Sequence, residues 1–379
     1  MSAVPEQALA PQSIAPMLHL GHEPNATTTD FSPRCSLIER MPKWLICIPL
    51  ACQWAWLSLR YRSTTLPSAA NPCLTAGGLV GEGKLEYFQG MGARARAATA
   101  TFCAISTERP AEALVLQRRM LAAGLNFPLI AKPDLGLCGF GVQRVDDMEA
   151  LLRYLAAFPR NETVVLQEYL ADEGEAGIFY ARDPVSNQAR LLGVALRYYP
   201  RVIGDGVRCI GTLIDADPRA RRSRGGAQHA AALDLQRVPA NGECVRLATI
   251  GSTRVGGLYR DGAAYVSPQL TAAVDAIARD MPAFYCGRFD VRFSDGNALR
   301  NGHGFTIIEI NGAGSEAIHA WDPGIGVWRA FQIIFAKQRT LFAIGDALRK
   351  TGVKPIALRT LAMLYRRQQR LIAAYPPSN

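Results

Sequence analysis

Gly287-Arg288-Phe289-Asp290-Val291-Arg292-Phe293 and, a little further on, Ile307-Ile308-Glu309-Ile310-Asn311-Gly312-Ala313-Gly314 are the stretches on which the reading of this chain turns. In the first, Phe289, Val291 and Phe293 alternate with Arg288, Asp290 and Arg292, so a strand would put the acid and both arginines on one face. Glu309 and Asn311 alternate in the same way with Ile308 and Ile310. Two neighbouring strands presenting Asp290, Glu309 and Asn311 on one face make an oxygen-only cluster, which suits Mg²⁺ rather than zinc or copper. Either stretch alone also reads as a solvated strand face. The pair, with glycine-rich sequence directly after Asn311, points to a metal site.

The surrounding composition is that of a folded protein. With 379 residues, 49% hydrophobic and 20% charged, the chain can bury two or three cores and is not a disordered polymer. A net charge of +10 favours anionic partners, but the excess is scattered arginine. Its one dense cluster, Arg219, Arg221, Arg222 and Arg224, has no interleaved aromatics and reads as a solvated loop, so no nucleic-acid partner is expected. The nine cysteines contain no Cys-x-x-Cys pair, which argues against structural zinc and a disulfide framework and fits a reducing cytoplasm. Of five histidines only His319, shortly after the second strand, is placed to matter, and packing explains it as well.

Residues 1–40, rich in Pro, Ser, Thr and Ala, read as a flexible arm without the basic start of a secretory signal. Residues 41–62 read as a hydrophobic, Trp-rich helix in which Lys43 and Arg60 bracket uncharged sequence. It is short for a membrane span and is interrupted by Pro49 and Gln53. It reads equally as an interfacial helix, which would place the protein peripherally at the inner face of a membrane, as a buried helix or as a partner helix. Residues 63–107 read as a glycine-rich linker and truncated N-terminal region. Within it, Gly78-Leu79-Val80-Gly81-Glu82-Gly83-Lys84 imitates a phosphate loop, but Leu85 stands where Ser or Thr should be; a loop carrying Lys84 to an anion is the better reading. Periodicity then predicts a helix from Glu108 to Gly124 on Ala111, Leu114, Val115, Met120 and Leu121, a strand Phe127–Pro133, a helix Asp147–Phe158 and a strand Thr163–Leu170. A strand pair, 176–181 and 189–198, follows around a turn at 183–187. Residues 326–379 read as helices, the first on Trp328, Phe331, Ile334, Phe335 and Leu341.

A nucleoside triphosphate needs cations or amides on its phosphates, a hydrogen-bonding edge for its base and a divalent metal. Lys132 ends a strand where it would reach phosphate, and Gly136, Gly139 and Gly141 let the next loop lay backbone N–H groups on phosphate oxygens. Gln167, Glu168, Tyr169 and Leu170 end a strand where backbone groups would read an adenine edge, and Glu175 would take a ribose hydroxyl. Lys132-Pro133 with its glycine loop, the 167–170 segment, Gly204-Asp205-Gly206, Arg288-x-Asp290 and Glu309-x-Asn311-Gly312, in that order, resemble the ATP-grasp superfamily over residues 108–325, nearest its D-alanine–D-alanine ligase and carboxylate-amine ligase branch.

The resemblance implies an α+β fold of two subdomains clasping ATP, and a ligase that turns a carboxylate into an acyl phosphate for attack by an amine or similar nucleophile. Its partners would be a small carboxylate and an amine, and its cofactors ATP and one or two Mg²⁺, replaceable by Mn²⁺. Carried over by position, Lys132 and Arg197 would touch phosphates and Arg288, helped by the Gly314 amide, would stabilise charge at the acyl centre. Asp290, Glu309 and Asn311 would hold the metal. Two other outcomes fit the same residues: a small-molecule kinase, and a non-catalytic ATP-binding module at a membrane surface. Residues 218–240, including His229, interrupt the place of a substrate-covering loop.

Overall fold

The computed structural model of the chain describes residues 35–225 and 233–378, and in it segments rich in β-branched and aromatic residues form two antiparallel sheets. The first combines β1 (Phe102–Ser106), β2 (Leu129–Pro133), β3 (Gln143–Val145) and β4 (Thr163–Glu168) in the order β1-β4-β2-β3. Two helices, Ala113–Ala122 and Met148–Ala157, cover it. Leu116, Met120, Leu151 and Tyr154 from these helices meet Leu129, Val164 and Leu166 of the strands in one core.

β5 (Gly174–Arg182) and β6 (Ala189–Tyr198) form the expected hairpin. A separate small ladder, β7 (Arg201–Ile203) with β8 (Cys244–Arg246), interrupts the second sheet, which β9 (Leu258–Asp261), β10 (Cys286–Phe293) and β11 (Phe305–Asn311) complete in the order β11-β10-β5-β6-β9. Phe289, Val291, Ile307 and Ile310 pack into a core with Leu270, Val274 and Ile277 of the helix Pro268–Arg279. That burial turns Arg288, Asp290 and Arg292 to the other face. The register sets Asp290 opposite Glu309 and Arg288 opposite Asn311, so the two quoted stretches are neighbouring strands. Antiparallel sheets with helices packed on them give the mixed architecture that the sequence pattern predicts.

Several local expectations do not hold. The helix expected from Glu108 begins only at Ala113, after Pro110, and its Leu114, Val115 and Leu121 are exposed while Leu116 and Met120 are buried. Residues 63–107 are no linker: β1 pairs with β4 along its length, and Leu66, Asn71, Tyr87 and Phe88 are buried. Asn71 alone bonds the Tyr285 and Cys286 amides and the Gly77 and Cys286 carbonyls. Part of the arginine cluster is structural as well. Arg219 is buried and grips Glu39 at 2.7 Å and the Gly257 carbonyl at 2.7 Å, which also orders the end of the expected arm as a helix, Leu37–Arg40. Residues 1–34 and His229 lie outside the described residues.

No helix among the described residues is long and apolar enough to cross a membrane. The hydrophobic helix is Lys43–Tyr61, held along the helix Val327–Lys350 by Ile46, Leu57 and a 2.9 Å hydrogen bond from Gln53 to the Phe335 carbonyl. The second C-terminal helix is Leu358–Ala374. Trp328, counted above among packing positions, is 71% exposed.

Candidate nucleotide site

β10 and β11 aim their polar face into a cavity of about 400 Å³ between the two sheets. On its second-sheet side, Asp290 is completely buried and its two oxygens accept from Arg288 Nε at 2.5 Å and Nη2 at 2.8 Å. Arg197 Nη1 stands 3.3 Å from the same carboxylate and 2.8 Å from Glu175, and Asn311 Nδ2 donates to Asp290 at 3.3 Å. Burial pushes the Glu175 carboxyl up, but Arg197 and Arg292, with a hydrogen bond from the Tyr199 hydroxyl, outweigh that and hold it below its ordinary value. The Asp290 charge does the same for the Arg288 guanidinium, raising it despite burial.

The first sheet supplies the lysine. Lys132 is 5% exposed; its ammonium donates to Gln167 Oε1 at 2.6 Å and across to the Ile308 carbonyl of β11 at 2.8 Å. The second of these bonds ties the two sheets together, and the pair uses two of its three donors. Burial lowers it to about 8. Lys84, from the imitation phosphate loop, is equally buried and lies 3.3 Å from Glu309, whose side chain is 32% exposed. Burial raises the Glu309 carboxyl, but Lys84, Lys132, Arg288 and Arg197 together bring it well below its usual range. Lys84 also explains Gly136, because a Cβ there would lie 2.7 Å from the Lys84 ammonium.

The loop after β2 turns through left-handed conformations at Cys138, Gly139 and Gly141, so its glycines are conformational requirements at 139 and 141. The C-terminal tail holds this loop from outside. Tyr375 donates to the Leu135 carbonyl at 2.6 Å, Ser378 to the Gly139 carbonyl at 2.7 Å, and the Tyr375 ring stacks on Phe158 at 5.1 Å. The same helix places Tyr365, Gln368 and Gln369 in the cavity wall.

The structure brings Lys132, Gly136, Gly139, 167–170, Glu175, Arg197, Arg288, Asp290, Glu309, Asn311 and Gly314 to one cavity, and Gly141 is not among its lining residues. Some arrive with other duties. The Gly314 amide, expected to face an oxyanion, is bonded to the Gly78 carbonyl at 2.6 Å, because Gly78 and Gly312 let the two backbones close to contact. Glu175, expected at a ribose, is enclosed by Arg197, Arg292 and Tyr199 and positions those groups. Gly204-Asp205-Gly206 forms a turn, with Gly204 buried against the Ala240 carbonyl and Gly206 exposed, in which Asp205 accepts from the Val207 and Arg208 amides, away from the lining. His319 is packed beneath Gly193 and Phe179, and burial lowers it to about 4.

Sequence reasoning passed over three contributors and left a fourth, Lys84, without a place in the site. Lys84 was visible only as an anion-seeking lysine, while Glu82, the segment Thr249–Thr253 and the wall from the last helix had no local signal. Glu82 Oε2 has no hydrogen-bond partner among the described residues, and burial pushes this carboxyl up to about 7.

No protein-family model and no curated protein matches the chain. Among solved structures it is similar to the D-alanine–D-alanine ligase of Bacillus anthracis, at 14% identity and a TM-score of 0.40, over 71% of this chain and 68% of that one. It is similar to the D-cycloserine synthetase DcsG at 14% identity and a TM-score of 0.36, over 72% and 70% of the two chains. To the bifunctional glutathione synthetase of Pasteurella multocida the figures are 18% and 0.33, over 64% of this chain and 34% of that one, so the chain spans about a third of that enzyme's length. None of these likenesses assigns a role to a residue.

Proposed function

We propose that the protein is an ATP- and Mg²⁺-dependent ligase of ATP-grasp type that activates a small carboxylate as an acyl phosphate for attack by an amine or similar nucleophile. The observation that carries this reading is the charge pattern of the cavity: Lys84, Arg197 and Arg288 are ion-paired with Glu309 and Asp290, and the buried Lys132 ammonium, held by Gln167 and the Ile308 carbonyl, adds a fourth cation within their field. A site of paired ions can receive a metal–polyphosphate by exchange, the cations turning to phosphate oxygens as the carboxylates turn to the metal.

The donor set fits Mg²⁺. Asp290, Glu309 and Asn311 offer hard oxygens from two paired strands. Among the described residues no group of three His, Cys, Asp or Glu side chains is arranged to hold a metal by protein alone. Mg²⁺ is commonly bound by one or two carboxylates, with substrate phosphates completing its shell, a role that Asp290 and Glu309 would fill. When bound, the ion would neutralise charge developing on the phosphates. Lys132 and Lys84 would bind the phosphates from the side of the glycine loop. Arg288, once released from one Asp290 oxygen, would bind the carboxylate being activated and offset its repulsion from the triphosphate. Arg197, fixed between Glu175 and Asp290, would keep that carboxylate pair oriented.

The test is a product assay with ATP and pooled carboxylates and amines, scoring ADP, inorganic phosphate and new amide mass together. The ligase reading expects all three. ADP without inorganic phosphate selects a kinase, and nucleotide binding without turnover rejects both enzymes.

A further inference from the structure

The helix Lys43–Tyr61 leaves a wide apolar face in solvent. Trp44 is 65% exposed, Ile48 51%, Trp56 52% and Leu59 79%. At 100° per residue these four, with exposed Leu45, Ala51, Cys52 and Ala55, fall within an arc of about 140° that carries no charged side chain. The face cannot be relieved by rolling the helix over. Ile46 and Leu57 are buried on the other side, Gln53 is bonded to the Phe335 carbonyl, and the Trp54 ring meets Phe342 edge-on at 5.0 Å.

Charge selects what would cover it. Arg40 and Lys43 stand at one end and Arg60 and Arg62 at the other, and no acidic residue occurs between Glu39 and Glu82. Glu39 itself is turned inward onto Arg219. A second copy of the helix, laid parallel or antiparallel, would set basic end against basic end with no acid between them. An anionic lipid surface complements both ends. Trp44 and Trp56, twelve positions apart in sequence, lie about 18 Å apart along the axis. Arg60 lies 5.6 Å over the Trp56 ring. Aromatic rings and cations at both ends of an apolar face are the arrangement of a helix lying in the membrane–water interface.

We propose that this face docks the protein on an anionic membrane surface, with the helix axis in the plane of the membrane. The inference stands apart from the ligase reading. It is tested by co-sedimentation of the full chain with vesicles of phosphatidylcholine alone and of phosphatidylcholine mixed with phosphatidylglycerol. Binding is expected to the mixed vesicles, with partitioning lowered at least about tenfold in the double variant Ile48→Glu, Leu59→Glu. Lys43→Gln and Arg60→Gln should each cost about fivefold on anionic vesicles and little on neutral ones. Both exposed changes should leave the melting temperature near the parent value, which keeps folding apart from binding. Failure of the parent chain to bind, equal binding by the Glu variants, or a dimer that the Ile48→Glu change splits would overturn the proposal.

Discussion

Asp290 and Glu309 look equivalent as metal ligands, yet their surroundings separate them. Asp290 is fully buried under two guanidiniums, so Asp290→Asn leaves Arg288 and Arg197 short of a counter-charge in a dry setting and should cost about 3–5 kcal/mol of stability. Glu309 is a third exposed, but its partner Lys84 is buried, so Glu309→Gln should cost about 1–3 kcal/mol, less than Asp290→Asn. Both should reduce Mg-ATP turnover by at least about 100-fold. Denaturant melts with turnover on the same samples separate the two effects; full turnover in Glu309→Gln would end the metal assignment. Lys132 carries a pH signature. Its value of about 8 in the fold against 10.5 ordinarily means that the folded protein gives up this proton first. Stability from this group therefore rises as pH climbs from about 8 towards 10.5, while its attraction for phosphate fades over the same window. The dissociation constant for ATP should rise above pH 8, and Lys132→Met should bind more weakly and lose that rise.

At the scale of elements, the last helix and tail support the glycine loop. Two hydrogen bonds from Tyr375 and Ser378 to loop carbonyls are worth about 1 kcal/mol each, and the stack on Phe158 about as much. A chain ending at Ala374 should free the loop by roughly 2–3 kcal/mol, seen as faster amide exchange over residues 135–142 and a several-fold weaker ATP affinity; unchanged exchange would show that the loop holds itself. This support was invisible beforehand because its partners are more than two hundred positions apart. β10 was legible for the opposite reason: it states its two faces by alternation, and pairing with β11 needs only a neighbouring segment. In β11 a bulge opposite Asp290 and Val291 breaks the alternation, burying Ile307 with Ile310 and leaving Ile308 in the cavity wall. Arg219 went astray in the same way as the tail. A basic run reads as solvated until a partner such as Glu39, 180 positions away, is brought to it.

Across the whole molecule, contacts between the two sheets set the response to a ligand. Lys132 bonds a carbonyl of β11, and Lys84, from the segment before β1, pairs with Glu309 of the same strand, so part of the link between the sheets is made at the cavity, beside the backbone bonds of Ala98 and Ala100 to Ile307. The fold class was readable because antiparallel strands and their covering helices follow local periodicity. The cavity's full wall was not, because Lys84, Glu82 and the last helix are assembled by tertiary packing alone. A ligand that satisfies both sides at once should therefore stabilise the molecule more than one that satisfies either. Mg-ATP at a hundred times its dissociation constant should add about 2.7 kcal/mol to the folded state. ATP with a chelator, left to face Asp290 and Glu309 without a metal between, should bind more weakly and raise the melting temperature less at the same concentration. Thermal melts of the full chain with ATP, Mg²⁺ and both together measure this. Equal shifts for ATP with and without Mg²⁺ would mean that these two carboxylates only position the cations and do not meet the metal.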